Sequence, residues 1–283
     1  MKFGVSFPNF GQYGDVAVLV NLAERAEEAG WDGIFVWDHI QVESGWDASF
    51  VDPWVAMAAM AAATSRIAIG PMVTPVSRRR PVQLARQTVS LDHLSSGRLI
   101  FGVGLGWPPG PDFADLGEES DAHTRAEMLD EGLGLIDALW SGQVVHHDGR
   151  HYSARGTRFL PRPIQQPRIP IWVAGFWPNK APFRRMARWD GMFPMYNDVE
   201  TGEFGAMSPE VLTEMVDYVR RHRVSPDPFD VVAMVRSPRD EHERRQLRDA
   251  YSAAGLTWSI EHLGDGEPSL EAIVGAVDAG PLP

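Results

Sequence analysis

Residues 99–107 read Leu-Ile-Phe-Gly-Val-Gly-Leu-Gly-Trp. An apolar run without polar alternation is a strand buried on both faces, the kind found in parallel sheets. Its glycine frame begins like the G-x-G-x-x-G fingerprint of dinucleotide-binding sheets, but Trp107 stands where the third glycine belongs. An open doubly wound sheet loses its main sequence support at that residue. The fold is then decided by counting strand–helix units on either side.

Upstream, Phe3–Phe7 is a short strand closed by Pro8. Asp15 caps a helix in which Val16, Leu19, Ala23, Ala26 and Ala29 recur at helical spacing before Gly30 stops it. Gly33–Trp37 is a second strand, and Asp52-Pro53 opens an Ala-rich helix to Thr64. Ile67–Val73 is a third, followed by a helix that Pro81 opens and Gly97 ends. The helix after the 99–105 strand carries Ala126, Leu129, Leu133, Ile136 and Trp140 on one face and stops at Gly142. Residues 143–168 interrupt the rhythm. Asp148-Gly149 predicts a two-residue hairpin turn between Val144–His147 and His151–Tyr152, and a Pro-rich stretch follows. Four more units come after it. They are Ile171–Ala174 with a helix from about Asn179 to Arg188, and Gly191–Tyr196 with a helix capped by Ser208-Pro209. Then come Asp230–Val235 with a helix capped by Ser237-Pro238, and Leu256–Glu261 with a helix from Pro268. Eight such units predict a single α/β domain over residues 1–283. It closes as a (β/α)8 TIM barrel with a short excursion after the fourth helix.

Composition narrows the function. The 283 residues carry 26 Lys and Arg against 38 Asp and Glu, a net charge of −12, which argues against general nucleic-acid binding. There is no Cys, so thiolate catalysis, disulfides and iron–sulfur clusters are excluded in this chain. The two longest stretches without a charged residue, Pro53–Ser65 and Leu99–Pro111, are 13 residues each, short of the ~20 that span a membrane. With no leader-like N-terminus, the expectation is a soluble cytoplasmic protein.

In a barrel the chemistry sits at the C-terminal ends of the strands. That rule selects Phe7-Pro8-Asn9, Trp37-Asp38-His39, Met72-Val73-Thr74-Pro75, Gly104-Leu105-Gly106-Trp107, Ala174-Gly175-Phe176-Trp177 and Met195-Tyr196-Asn197. The set is aromatic and short of charge, so it suits a flat aromatic ligand better than metal-assisted hydrolysis or two-carboxylate glycoside chemistry. His39 beside Asp38 is the sharpest pair, a titratable ring next to an acid. Gly104 and Gly106 either admit a ring or serve tight packing. Arg78-Arg79-Arg80 reads first as a solvated charge run and second as an anion site. His146, His147 and His151 flank the hairpin turn without completing a ligand set, so no metal is expected. The helix opening at Asn179, beside Lys180, turns free N–H groups toward the same face, where a phosphate would dock.

Taken in order, these pieces become specific. Ala23–Asp32, Trp37-Asp38-His39, Asp52-Pro53, Ala63–Ile67, Arg80-Pro81-Val82, Leu91–Leu99, Gly102–Trp107, Pro163–Pro167, Trp172–Gly175 and Asp190-Gly191 together resemble the luciferase-like monooxygenase family, bacterial luciferase among them. The match runs from about residue 3 to residue 196. The resemblance implies a barrel that uses FMN or the deazaflavin coenzyme F420, commonly as a homodimer. It implies that His39 meets the cofactor ring as acid or hydrogen-bond donor, with Asp38 orienting it and Phe7 nearby. Met72, Val73 and Thr74 would form a bulge behind the ring, with a non-prolyl cis peptide at Pro71–Met72. Gly104, Gly106 and Trp107 would face ring or substrate, and Gly175, Phe176 and Trp177 would reach the cofactor phosphate.

Asp38-His39-Ile40 replaces the acid-His-His run of the luciferases, which favours F420. Trp107 stands where some deazaflavin dehydrogenases place a carboxylate, and Ala174-Gly175 replaces a Gly-Gly pair. The reading is therefore an F420-dependent oxidoreductase that passes hydride to or from a small organic substrate. An FMN monooxygenase, served by a separate reductase, is the alternative, and a non-catalytic flavin-binding protein the alternative of another class. Trp54, Met57, Ala58 and Ala61 suggest dimerisation through the second and third helices.

Overall fold

Local capping chemistry sets the element boundaries. Pro8 closes β1 (Lys2–Phe7). Asp15 accepts from the Ala17 N–H to cap α1 (Val16–Ala29), which Gly30 ends in the left-handed conformation. After β2 (Gly33–Val36), Asp52 accepts from the Trp54 and Val55 N–H groups to cap α2 (Pro53–Ala63). β3 (Ala68–Pro71) and β4 (Thr74–Pro75) are halves of one strand parted at Met72-Val73, and α3 (Pro81–Leu94) follows. β5 (Phe101–Gly104) leads to α4 (Ala122–Trp140), and β6 (Val144–Asp148) and β7 (Ser153–Arg158) form the hairpin. Then come β8 (Ile171–Trp177), α5 (Lys180–Met186), β9 (Gly191–Tyr196) and α6 (Pro209–His222). β10 (Asp230–Met234), α7 (Glu241–Ala253), β11 (Trp258–His262) and α8 (Leu270–Asp278) complete the order. The computed structural model describes residues 1–197, 207–235, 240–263 and 269–281.

The main sheet runs β3-β2-β1-β11-β10-β9-β8-β5-β4, and its paired neighbours are parallel. A parallel bridge between Ile69 and Leu99 closes the ring. With β3 and β4 counted as one strand, nine become eight, and the predicted (β/α)8 barrel is what forms. Inside it, the rings of Phe35, Trp172 and Trp258 pack with centroids 5.2–6.0 Å apart. They fit because neighbouring strand positions are bare: a Cβ on Gly191 would lie 2.4 Å from Trp172. The barrel is thus filled, and a ligand must sit at its mouth.

The opposite end is locked by charge against main chain. Glu27 of α1 accepts from the Ser65 and Ile67 N–H groups at 2.9 Å, and from Arg66. Burial opposes ionisation of Glu27, but the N–H groups of Ile67, Arg66 and Ser65 and the Ser65 hydroxyl outweigh it and pull its pKa down to about 2. Asp92, fully buried, accepts from the Ile164 N–H at 2.6 Å and the Gln165 side chain at 2.8 Å. Arg98 feeds the carbonyls of Ala61, Thr64 and Ile67.

Several details differ from the sequence reading. The hairpin turn is not two residues long: the strands part after Asp148–Ser153, because Glu131 of α4 takes the N–H groups of His151 and Tyr152 and draws them out of the ladder. The non-prolyl cis peptide is Met72-Val73, one bond later than Pro71–Met72. Pro71 and the Met72 N–H are still registered on Val36 of β2, so the strand can break only beyond them. α5 is shorter than expected. α7 is capped by Asp240, and α8 by Ser269. Ser237, Pro238 and Pro268 lie outside the described residues. No helix among the described residues is long and apolar enough to cross a membrane.

Candidate active site

His39 emerges from β2 at the mouth, with 18% of its side chain exposed. Its main chain is clamped by the fully buried Asn9, just past β1. Asn9 Oδ1 accepts from the His39 N–H at 3.1 Å, and Nδ2 donates to its carbonyl at 2.7 Å and to that of Val51 at 2.8 Å. The ring is oriented not by Asp38 but by Asp112, whose Oδ2 lies 3.2 Å from His39 Nδ1. Asp112 comes from the Pro-rich loop after β5 and also accepts from the Ile40 and Gln41 N–H groups, at 2.8 and 3.1 Å. Burial alone would raise the Asp112 carboxyl. The His39 ring, the Arg78 guanidinium and the two N–H groups outweigh it and hold the group below the usual carboxylate range.

Asp38 points the other way, because successive residues leaving a strand face opposite sides. Its carboxylate accepts from Thr74 Oγ1 at 2.8 Å, Trp54 Nε1 at 3.3 Å, Arg78 at 2.9 Å, and Arg79 at 2.8 and 3.0 Å. Arg78 also contacts Asp112. Arg78 is therefore neither a solvated charge nor an anion site; it is a buried bridge between the two aspartates, with 1% of its side chain exposed. Phe113, next to Asp112, lies between the guanidiniums of Arg78 and Arg125, 5.5 and 4.3 Å from its ring centroid. Arg125 in turn donates to the Leu105 and Gly106 carbonyls, which fixes the loop after β5.

The other expected site residues divide. Phe7 is fully buried against Tyr13, on the helix side of β1, and Thr74 is spent on Asp38. Trp177 also turns to the helix side, packed on Phe183 and Tyr218. The bareness of Gly175 serves α5, since a Cβ there would lie 2.2 Å from Pro182. Gly106, at φ +80°, makes room for Phe113, and a Cβ on Gly104 would meet Val73 at 2.8 Å. Tight packing explains all three glycines. Val73 and Phe176 keep exposed surface, as does Trp107 (66%), and Met72 lines the barrel interior below.

Two features suit an anionic ligand. β8 pairs with β5 only through Val173 but with β9 as far as Trp177, so it runs on past its β5 partner toward the mouth. The Lys180 ammonium lies 3.0 Å from the Trp177 ring centroid and has no carboxylate partner among the described residues. His147 and His151 are paired to Glu131 and Glu127, and no described group of three or more His, Asp or Glu could hold a metal.

A strand-exit histidine held by a buried acid at the mouth of a filled parallel barrel accords with the match of residues 1–254 to the luciferase-like monooxygenase family model. The chain belongs to that family. Within it, the chain is 37% identical over 158 residues to a Beutenbergia cavernae protein named F420-dependent glucose-6-phosphate dehydrogenase. That match covers 54% of this chain and 45% of the relative, so the chain spans about half that protein's length. A Gordonia bronchialis protein of the same name is 32% identical over 233 residues, 78% of this chain and 68% of the relative. A solved F420-dependent secondary alcohol dehydrogenase in complex with an F420-acetone adduct shares the fold, with a TM-score of 0.76 at 17% identity over 96% of both chains.

Proposed function

We propose that this luciferase-like chain is an F420-dependent oxidoreductase that passes hydride between the deazaflavin and a small organic alcohol or carbonyl compound. The observation that carries the reading is the His39–Asp112 pair. A carboxylate held ionised at Nδ1 selects the Nδ1–H tautomer, which leaves Nε2 to exchange a proton at the mouth. The surroundings fit a flat ring with a phosphate tail: apolar Met72 and Val73, the end of β8 that runs past β5, and the Lys180 ammonium, which has no carboxylate partner among the described residues. When bound, the deazaflavin supplies the hydride acceptor or donor. Asn9 fixes where His39 stands, Asp112 fixes its tautomer, and Arg78 keeps Asp112 anionic. The relatives' names support F420, and an FMN monooxygenase is the second reading, favoured by the apolar surface of the mouth. Anaerobic titration decides between them. F420 is expected to bind at least tenfold more tightly than FMN, and equal or tighter FMN binding overturns the preference.

The protein is also proposed to form a homodimer through α2. Trp54, Met57 and Ala61, which suggested the contact in the sequence, are buried in the chain's own core, so the surface left for a partner is the outer side of α2, with Val55 61% exposed beside Ala58, Ala59 and Ala62. Light scattering at tens of micromolar, roughly the range where such dimers persist, should give a dimer that Val55→Glu weakens; a monomer contradicts it.

A further inference from the structure

Around His39 stands a wall of rings that the hydride-transfer reading does not require. Phe10 lies 5.9 Å from the His39 ring, 5.4 Å from Trp46, 5.2 Å from Phe50 and 6.1 Å from Trp37, centroid to centroid. Trp37 in turn stacks on His262 at 4.8 Å. Phe10, Trp37 and Phe50 are half-buried, and Trp46 is 43% exposed. Ile40, directly after His39, is 50% exposed. Large apolar surface left open beside a reactive group is a binding surface before it is anything else.

The charges around this wall select against anions. Arg78 and Arg79 are taken up by Asp38 and Asp112, and Arg125 by two carbonyls. Lys180 sits across the barrel on β8's helix side. The loop that carries Trp46 contributes Glu43 and Asp47, and the loop after β5 contributes Asp115 and Glu118, all exposed. A phosphate dianion placed here would meet these four carboxylates, while Arg78 and Arg79, the arginines behind His39, are already held by aspartates. Arg236 and Arg239 lie outside the described residues, and the sugar-phosphate arm of the experiment below tests them.

We infer that the substrate is an uncharged apolar alcohol or ketone, preferably one bearing an aromatic ring, held against the Phe10–Trp46–Phe50 wall, and not a phosphorylated sugar. This rests on the proposed F420 chemistry. In the oxidative direction the carbinol carbon gives its hydride to the oxidised deazaflavin. The hydroxyl proton goes to His39 Nε2, and the C–O bond becomes a carbonyl. Ketone reduction is the same transfer reversed, with reduced deazaflavin as the hydride donor.

Calorimetric titrations with acetophenone and with glucose 6-phosphate test the inference without turnover. The wild-type protein should bind acetophenone at least tenfold more tightly than glucose 6-phosphate. Trp46→Ala should weaken acetophenone at least fivefold, Trp46→Phe should restore most of the affinity, and both variants should bind F420 within twofold of wild type. Glucose 6-phosphate binding as tightly as acetophenone, or acetophenone binding untouched by Trp46→Ala, overturns the proposal. The F420 titration alone decides the cofactor reading. Loss of F420 binding with acetophenone retained separates a failure of that reading from a failure of this one.

Discussion

Glu27, Asp92 and Arg98, at the end where strands enter the barrel, are satisfied chiefly by main-chain groups. Asp38, Asp112, Arg78 and Arg79, at the end where strands leave, are satisfied largely by one another. A main-chain partner is fixed by the fold, so the first arrangement pins loops in place. A side-chain partner can be placed where chemistry needs it, so the second arrangement builds a site. At the mouth two aspartates face two arginines. The comparison separates residues that pin loops from residues that position the candidate site.

The largest expected effect tests whether His39 belongs to the second group alone. His39→Ala should lower single-turnover rates by ~10²–10⁴ at saturating F420, the usual contribution of a positioned proton carrier. Its urea midpoint should barely move. A rate within threefold of wild type would reduce His39 to packing.

Asp38 should behave in the opposite way despite being its sequence neighbour. Asp38→Ala removes one of the two carboxylates that Arg78 bridges and the buried partner of Arg79, and breaking such buried pairs costs about 3–5 kcal/mol. Chemical denaturation measures it, and a loss below 1 kcal/mol would show that the mouth tolerates unbalanced charge.

At the entry end, Asp92→Ala should cost about 1–3 kcal/mol, the scale of stranded buried donors. Its F420 affinity should match wild type. Lost F420 binding at full stability would erase the distinction between the two ends.

The smallest effect is a pH dependence. The folded pKa of Glu27 is depressed from 4.5 to about 2. Its contribution is therefore complete above the unfolded value and lost as pH falls toward 2. Wild type and Glu27→Gln should differ at pH 7 by about 1.5 kcal/mol, the low end of the range for hydrogen bonds to a charged acceptor. The two should converge near pH 2; a constant gap would assign the effect to something other than ionisation.

Most of the fold was legible because its signals are local. Asp15, Asp52 and Ser208 announce helices by capping N–H groups two or three residues on. The family pieces were legible too, and several of them brace the entry end: Glu27 reaches Ser65–Ile67, and Asp92 reaches Ile164 and Gln165. The site was harder to read. Asp38 adjoins His39 in sequence but turns away from it, while Asp112 reaches the ring from 73 residues away and Asn9 holds its main chain from 30. A single acid in the Pro-rich stretch 108–112 was the available signal, since burying it requires a partner.

The clamp on His39 also carries a consequence for the order of assembly. Asn9 follows β1, and β1 is seated in the barrel partly by β11, whose His262 Nδ1 donates to the Ser6 carbonyl from 256 residues downstream. Contacts of such separation are the slowest to form, because chain closure must precede any gain from them. During synthesis, β2 can leave the ribosome long before β11 exists to complete the seat of Asn9. On the proposed reading, His39 thus reaches its working position only when the barrel shuts, and a growing chain stays chemically silent until then.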